Sequence, residues 1–160
     1  MIRAKSKIVV AGIDPGKAGG IAIIQQDAIK TMPMPIVGKE IDLEALALFL
    51  KEHQPNIIFI EKAQAMPKQG VTSMFTYGCG FGSLRGLCAG IGIGHQLVTP
   101  QAWKKVVLAG TKKDKDAAIN YVKSKYPKAN LLATVRCKKP HDGMADAICI
   151  AEYGLRIWRR

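Results

Sequence analysis

Two short, β-branched apolar runs, each closed by a carboxylate, constrain the fold of this chain more than any other feature. The first run, KIVVAGID, ends at Asp14 before the turn sequence PGKAGG, and the second, NIIFIEK, reaches Glu61. Apolar runs of this length without polar alternation are typical of strands buried on both faces of a sheet. An acidic side chain at the end of a buried strand is costly unless it meets hydrogen-bond donors or a cation. The pattern therefore predicts a sheet covered on both faces, with carboxylates at its strand ends that need partners.

The other segments predict further strands and helices around these two. GGIAIIQQ and AIKTMP predict an antiparallel meander with the first strand, and HQLVT predicts a last strand. Helices are predicted over IDLEALALFLKEH with Asp42 as a possible cap, TPQAWKKVVL capped by Thr99, DKDAAINYVKSKY up to Pro127, and HDGMADAICIAEYG toward Trp158. This order predicts an α/β layered fold with a mixed sheet. With 160 residues, the chain is expected to form one domain over residues 1–160.

A glycine-rich segment from about Val71 to Gly92 is harder to interpret. Each glycine would weaken a helix by about 1 kcal/mol relative to alanine. Four of the glycines nevertheless recur every fourth residue, at Gly78, Gly82, Gly86 and Gly90. In a helix this spacing places a smooth stripe on one side, which suits the close approach of another backbone.

The charge of the chain favours a polyanionic partner. Lysine and arginine number 24 against 12 acidic residues, which gives a formal net charge of +12. Nucleic acid is the leading interpretation of such an excess. The alternatives are a solvated basic surface or an anionic membrane, and no basic amphipathic helix supports the membrane.

Cysteine usage and the start of the chain bear on its location. The four cysteines have no CxxC spacing and predict free thiols in a reducing compartment. A zinc site built from Cys137 and His141 would lack a second pair of ligands. The basic start, MIRAKSK, leads into a strand, so neither a signal peptide nor a membrane span is expected.

The segment HDGMADAICIAEYG adds two more carboxylates to the set. Asp142 and Asp146 share a face if the segment is helical, and like charges one turn apart repel unless a cation lies between them. Oxygen ligands from separate elements suit Mg²⁺ or Mn²⁺. Two such ions about 3.5–4 Å apart would flank a scissile phosphate and hydrolyse a phosphodiester. Taken singly, Asp14 also fits a turn, Asp142 a helix cap and Asp146 a surface residue.

Five motifs in order resemble one family over roughly residues 8–154. They are GIDPGKAGGIAI, IIFIEKAQAMPKQG, TPQAWKK, KKDKDAA and HDGMADAICIAEYG. In this order they resemble the RuvC-like Holliday junction resolvases of the ribonuclease H-like superfamily. Within that family the chain looks most like the plastid and phage-type branch. The resemblance implies a ribonuclease H-like fold, a mixed five-stranded sheet flanked by helices.

The resemblance also implies an active site. Asp14, Glu61, Asp142 and Asp146 match the metal-binding carboxylates of the family, with two Mg²⁺ ions per site and Mn²⁺ as a substitute. The last two acidic residues are four apart, as in the plastid type, whereas bacterial RuvC proteins have them three apart. The plastid type often has Glu where this chain has the shorter Asp146, which bears on the coordination of one ion. Lys115 matches a lysine placed near the scissile phosphate, where it would offset developing charge.

DNA contacts and a dimer are the remaining implications. The candidate DNA-binding residues are Lys68, Gln69, Gly70, Phe75, Tyr77, Phe81, Lys104, Lys105, Lys112 and Lys113. The aromatic residues among them have core or dimer packing as an equal alternative, and Trp103 is expected to be a core anchor. His141 either orders a carboxylate or water, or caps the last helix. Family members act as homodimers, because paired cuts on strands of like polarity need two active sites related by a twofold axis.

The resulting hypothesis is a Mg²⁺-dependent endodeoxyribonuclease that resolves four-way DNA junctions in recombination and repair. One alternative is a non-catalytic nucleic-acid-binding module, and another is a ribonuclease H-type nuclease with a different substrate. GIDPGKAGG also resembles the phosphate-holding hairpin of sugar kinases, but those enzymes usually need two domains to close over ATP. The expected location is the cytoplasm or nucleoid, the host cytoplasm for a viral protein, or an organelle.

Overall fold

A mixed five-stranded sheet forms the centre of the molecule, in the order β3-β2-β1-β6-β7. The structure is a computed structural model, and it describes residues 8–62, 64–65 and 67–158. The strands of the sheet are β1 (Val9–Asp14), β2 (Gly20–Gln25), β3 (Ala28–Pro33), β6 (Ile57–Glu61) and β7 (His95–Val98). β1, β2 and β3 form an antiparallel meander, whereas β1, β6 and β7 run parallel. The predicted α/β fold, with its mixed five-stranded sheet flanked by helices, is confirmed.

Five helices and one small hairpin complete the described residues. The helices are α1 (Leu43–His53), α2 (Val71–Gly90), α3 (Pro100–Val107), α4 (Ala117–Lys125) and α5 (Asp142–Trp158). The hairpin, β4 (Ile36–Val37) with β5 (Glu40–Ile41), was not predicted because each of its strands has only two residues. The predicted start of α4 at Asp114 was wrong: residues 114–116 form a turn, and the helix begins at Ala117.

The sheet is covered on both faces, as the apolar runs predicted. One core packs α5, α3 and α4 onto the sheet, with Trp103 and Met144 among its fully buried side chains. The opposite core contains Leu46 and Leu50 of α1 and Leu84 of α2. Side chains of β1 alternate between the two cores, which explains why that strand has no polar face.

Glycines allow α5 to lie directly against β1 and β2. A Cβ on Gly12 of β1 would come within 2.3 Å of the carbonyl oxygen of Ala147. A Cβ on Gly143 would come within 2.3 Å of the carbonyl oxygen of Ala18. Side chains at these positions would push the helix away from the sheet. The start of α5 is therefore held beside the end of β1, which is where Asp14 lies.

The four cysteines are free thiols, as predicted. None of the helices in the described part of the chain combines the length and apolar composition needed to cross a bilayer. The basic start of the chain, residues 1–7, lies outside the described residues.

Candidate active site: carboxylates at one edge of the sheet

Parallel strands bring two of the predicted carboxylates to the same edge of the sheet. Asp14 is the last residue of β1, and Glu61 is the last residue of β6, its parallel neighbour. Asp142 is the first residue of α5, and Asp146 lies one turn further along that helix. Because α5 packs against β1, the four carboxylates lie near the same edge of the sheet.

The charges of neighbouring carboxylates change the pKa of Asp14. Its pKa is raised from 3.8 to about 7, first by burial and then by the negative charges of Glu61 and Asp146. Two weaker effects lower the pKa: a hydrogen bond of 3.4 Å from the Gly16 N–H to Asp14 Oδ1, and the positive charge of Lys104. Asp14 is therefore half protonated near neutral pH when no cation is bound.

Asp146 is in a similar environment. Burial is the main cause that raises its pKa from 3.8 to about 6. The charge of Lys104 lowers the pKa, but those of Glu61 and Asp142 raise it further. Asp146 is thus not the ordinary surface residue that its sequence context allowed, and the predicted repulsion between Asp142 and Asp146 is present.

Glu61 has a hydrogen-bond partner that sequence reasoning missed. The indole Nε1–H of Trp103 donates to Glu61 Oε2 at 2.6 Å. Trp103 is fully buried, as predicted for a core anchor, but its role extends beyond packing. The signal was present in the sequence, because a buried indole N–H usually needs an acceptor. Which acceptor it finds depends on the tertiary fold.

His141 caps α5. Its Nδ1 accepts a hydrogen bond of 3.2 Å from the backbone N–H of Met144, and its carbonyl oxygen accepts one from Ala145. This satisfies N–H groups of the first helical turn. The capping interpretation of His141 fits the structure, whereas Asp142, the alternative cap, is exposed in the first turn.

The donor chemistry of this cluster fits a divalent cation. The negative charges that raise the pKa of the half-buried Asp14 and Asp146 lack compensating positive charge, and oxygen ligands are those that Mg²⁺ prefers. The two-ion centre is not preformed, however. Within the described ranges, no three His, Cys, Asp or Glu side chains lie close enough together to hold a metal ion. Closure around a cation would require movement of at least one of the carboxylate side chains.

Tyr77 of α2 belongs to the same neighbourhood. Its pKa is raised, first by burial and then by the charges of Asp14 and Glu61. Tyr77 also lines a cleft of about 510 Å³ together with Pro15, Lys17, Lys39 and Phe75. The cleft thus begins at the residue after Asp14 and runs between α2 and the β4–β5 hairpin.

The remaining candidates near α2 fall into two groups. Lys68, Gln69 and Gly70 are exposed in the segment before α2, and Phe75 is 73% exposed. Phe81 instead packs against the core that contains Leu84, with the Arg85 guanidinium 5.8 Å from its ring centroid. The packing interpretation of Phe81 therefore fits this structure better than contact with DNA.

The predicted lysines lie on α3 and in the loop that follows it. Lys104 and Lys105 are exposed in the last turn of α3, and the charge of Lys104 reaches Asp14 and Asp146. Lys112, Lys113 and Lys115 are exposed between α3 and α4. Lys104 is thus the lysine for which the structure shows an electrostatic effect on the carboxylates, and the place of Lys115 near the scissile phosphate stays a prediction.

Solved structures with a similar fold include several junction resolvases. RuvC of T. thermophilus in complex with Holliday junction substrate matches with a TM-score of 0.67 and 17% identity, over 95% of both chains. The yeast mitochondrial Holliday junction resolvase Ydc2 matches with a TM-score of 0.56 and 14% identity, over 92% of this chain and 77% of the other. The fowlpox virus resolvase, in complex with Holliday junction DNA, matches with a TM-score of 0.55 and 11% identity, over 96% and 100%.

This chain has the RuvC-like resolvase fold. Identities this low establish the fold alone. Comparisons with the known protein families and with curated proteins find no match. The closer relationship to the plastid and phage-type branch stays a prediction.

Proposed function

We propose that this protein is a structure-selective endonuclease that cuts four-way DNA junctions in recombination and repair. The observation that carries the proposal is the electrostatic coupling of Asp14, Glu61, Asp142 and Asp146 at one sheet edge. The RuvC-like fold and the net charge of +12 support it. Perturbed carboxylates beside a cleft of a basic protein fit phosphodiester chemistry better than a purely structural role.

The four carboxylates are the residues that would hold Mg²⁺ or Mn²⁺, in a two-ion site. When bound, such a cation supplies an activated water and stabilises charge on the scissile phosphate. The protein's own part is to place and orient the carboxylates. Because the pKa of Asp14 is about 7 without a cation, a proton competes for this side chain at and below neutral pH. Activity should therefore fall on acidification.

Positive and aromatic groups around the carboxylates would hold the DNA. The positive charge of Lys104 lowers the pKa of Asp14 and Asp146, and Lys115 is proposed to offset charge on the phosphate. The cleft beside Asp14 presents Lys17, Phe75 and Tyr77, a combination suited to backbone contact and base stacking. The exposed residues before α2 and after α3 extend this basic surface, namely Lys68, Gln69, Gly70, Lys105, Lys112 and Lys113.

A homodimer would supply the second active site. The predicted glycine stripe of α2 faces open space: a Cβ on Gly78, Gly82, Gly86 or Gly90 would meet no atom within 4 Å. Val71, at the start of the same helix, is 86% exposed. We propose that two chains pair through this face. Sedimentation equilibrium should give a dimer mass, and Gly82→Trp should give a monomer that still folds but cuts junctions poorly.

A substrate panel tests the assignment. The protein is incubated with a synthetic four-way junction, with linear duplex DNA and with an RNA–DNA hybrid, each in Mg²⁺ or in EDTA. We expect cutting of the junction alone, on two strands of like polarity, and only with Mg²⁺. Preferred cutting of the hybrid would indicate a ribonuclease H-type enzyme instead. Binding of all substrates without cutting would indicate a non-catalytic module, and cutting in EDTA would exclude the metal mechanism.

A further inference from the structure

We propose that Trp103 is a positioning residue for the carboxylate cluster, and that its indole N–H holds Glu61 in the orientation needed to bind a divalent cation. The inference rests on the proposed nuclease function. It assigns a role to a residue that the sequence placed only in the core.

The first support is the contact itself. Trp103 has no exposed surface, and its Nε1 lies 2.6 Å from Glu61 Oε2. Hydrogen bonds to ionised acceptors are shorter and about twice as strong as those between neutral groups. A carboxylate has about four lone-pair sites on its two oxygens. Glu61 can therefore accept from the indole and still offer an oxygen to a cation.

The second support is the rigidity of the frame around this contact. Glu61 pairs with Val98 in the sheet, and the backbone N–H of Lys62 donates to the Val98 carbonyl oxygen at 2.7 Å. The next residue, Thr99, caps α3 by accepting from the Ala102 N–H at 3.2 Å. Trp103 then lies one helical turn into α3. The ends of β6 and β7 and the start of α3 thus form one connected unit, and the indole–carboxylate bond closes it.

The third support is the repulsion between Glu61 and the neighbouring carboxylates. Asp14 and Asp146 both interact with its negative charge, so Glu61 would gain by turning away from them. The donor on Trp103 opposes that movement without neutralising the carboxylate. A positively charged side chain in place of Trp103 would compete with the metal ion for Glu61, whereas a neutral donor does not. Partners that orient metal ligands typically change metal affinity or activity about 10- to 100-fold when they are removed.

The test separates orientation from packing. In Trp103→Phe an aromatic ring still fills the site but the N–H is lost, and Trp158→Phe is the matched control, since Trp158 is 46% exposed at the end of α5. Mn²⁺ affinity is measured without DNA, from the electron paramagnetic resonance signal of free Mn²⁺. For Trp103→Phe we expect Mn²⁺ affinity to fall about 10- to 100-fold. We also expect kcat for junction cutting to fall, with KM for the junction unchanged. Trp158→Phe should change none of these values.

A second variant covers the case in which Trp103→Phe does not fold. Tryptophan is replaced biosynthetically by β-(3-benzothienyl)alanine in the Trp158→Phe background, so that sulfur takes the place of the N–H in a ring of nearly the same shape. The fold is checked by circular dichroism and thermal unfolding. Loss of Mn²⁺ affinity in this folded variant would support the inference, because the packing is retained.

Failure of the inference is distinct from failure of the proposed function. If the wild-type protein cuts junctions and both Trp103 variants bind Mn²⁺ and cut as well as it does, the positioning role is wrong and the nuclease assignment stands. If the wild-type protein binds Mn²⁺ but cuts no substrate, the nuclease assignment is wrong, and the variants' Mn²⁺ affinity alone decides the role of Trp103. If the wild-type protein binds no Mn²⁺, the positioning role is excluded.

Discussion

Two carboxylates on the same helix, the half-buried Asp146 and the buried Glu152, have opposite electrostatic environments. Glu152 is 2% exposed and accepts hydrogen bonds from Lys125 Nζ at 2.5 Å, Tyr126 OH at 2.5 Å and Arg156 Nε at 2.7 Å. Burial alone would raise its pKa, but these bonds outweigh burial and the pKa is lowered. Burial also raises the pKa of Asp146, and there the neighbouring carboxylates add to the effect, giving a value of about 6.

The difference separates a structural carboxylate from a candidate functional one. Among the described residues, the salt bridges join Glu152 to Lys125 of α4 and Arg156 of α5. Arg156 also donates to the carbonyl oxygen of Val106 at 2.9 Å and to Tyr121 OH at 2.7 Å, so the network ties α3, α4 and α5 together. At Asp146 the fold supplies only the exposed Lys104 against two other carboxylates. A deficit of positive charge of this kind is the expected state of a site that binds a cation.

The largest effect should come from Asp14→Asn. We expect junction cutting to fall at least about a thousandfold, because several kcal/mol of transition-state stabilisation is lost with the metal site. Junction binding should persist or tighten, since a negative charge near the phosphates is removed. Asp27→Asn is the matched control, because Asp27 is exposed in the β2–β3 turn. Gel-shift and cleavage assays on one junction measure both properties, and retention of cutting by Asp14→Asn would contradict the assignment.

For Glu152→Gln we expect the free energy of unfolding to fall while junction cutting is unchanged. Breaking a buried ion pair costs about 3–5 kcal/mol, and the lower end applies here because Lys125 and Arg156 still reach solvent. For a chain of this length, a loss of about 3 kcal/mol lowers Tm by about 6–12 °C. Cutting per folded molecule should be unchanged at a temperature where the variant is folded. Normal stability with lost cutting would place Glu152 with the functional carboxylates.

Much of this contrast was accessible from the sequence, and part of it was not. The strands that end at Asp14 and Glu61, and the helix that carries Asp142 and Asp146, follow from local apolar patterns. The pairing of β1 with β6 then brings two of the carboxylates to one edge. Glu152 shows the limit, because its partners Lys125 and Tyr126 are 27 and 26 residues away in sequence. No local pattern distinguishes it from the acidic residues of the site.

The Trp103–Glu61 hydrogen bond could not be predicted from the sequence for the same reason. It spans 42 residues, and the sequence indicated only that Trp103 would be buried. Long-range hydrogen bonds of this type depend on how α3 packs against the sheet. The β4–β5 hairpin and the start of α4 were missed for a different reason, because short elements and helix ends carry weak sequence signals.

A smaller effect is expected in the pH dependence of stability without metal. The pKa of Asp14 is raised in the folded state, so the folded protein binds a proton that the unfolded chain has already released between about pH 4 and 7. Stability should therefore fall as pH rises through this range, by about 2 kcal/mol from Asp14 between pH 5 and 8, and the raised pKa of Asp146 acts in the same direction. The lowered pKa of Glu152 has the opposite sign, and its contribution is lost as pH falls below about 4.5.

Thermal unfolding in EDTA from pH 4 to 8 measures how these opposing contributions of Asp14 and Glu152 change the stability with pH. We expect the wild-type protein to be most stable near pH 5, and Asp14→Asn to move the maximum toward neutral pH. Saturating Mg²⁺ should also move the stability maximum of the wild-type protein toward neutral pH, because a cation stabilises the ionised carboxylates. If the stability of the wild-type protein rises steadily from pH 5 to 8 in EDTA, the pKa of Asp14 is not raised in the folded state.

The smallest effect should distinguish two neighbouring lysines of α3. Lys104 lowers the pKa of Asp14 and Asp146, and its Nζ lies 5.2 Å from the Trp103 ring centroid. Removing this charge with Lys104→Gln should raise both pKa values further. The acidic limb of the pH–rate profile should then move upward, by about 0.3 pH units because water screens an exposed lysine.

Lys105→Gln is the matched control for this shift, because it removes the same charge from the next residue of the helix. Both variants should weaken junction binding to a similar extent if both lysines contact phosphate, but only Lys104→Gln should move the acidic limb. The shift should shrink at 1 M salt, where the Debye length falls to about 3 Å. Equal shifts for the two variants would mean that the carboxylates respond to the overall charge of the protein, and that Lys104 provides no specific compensation for Asp14 and Asp146.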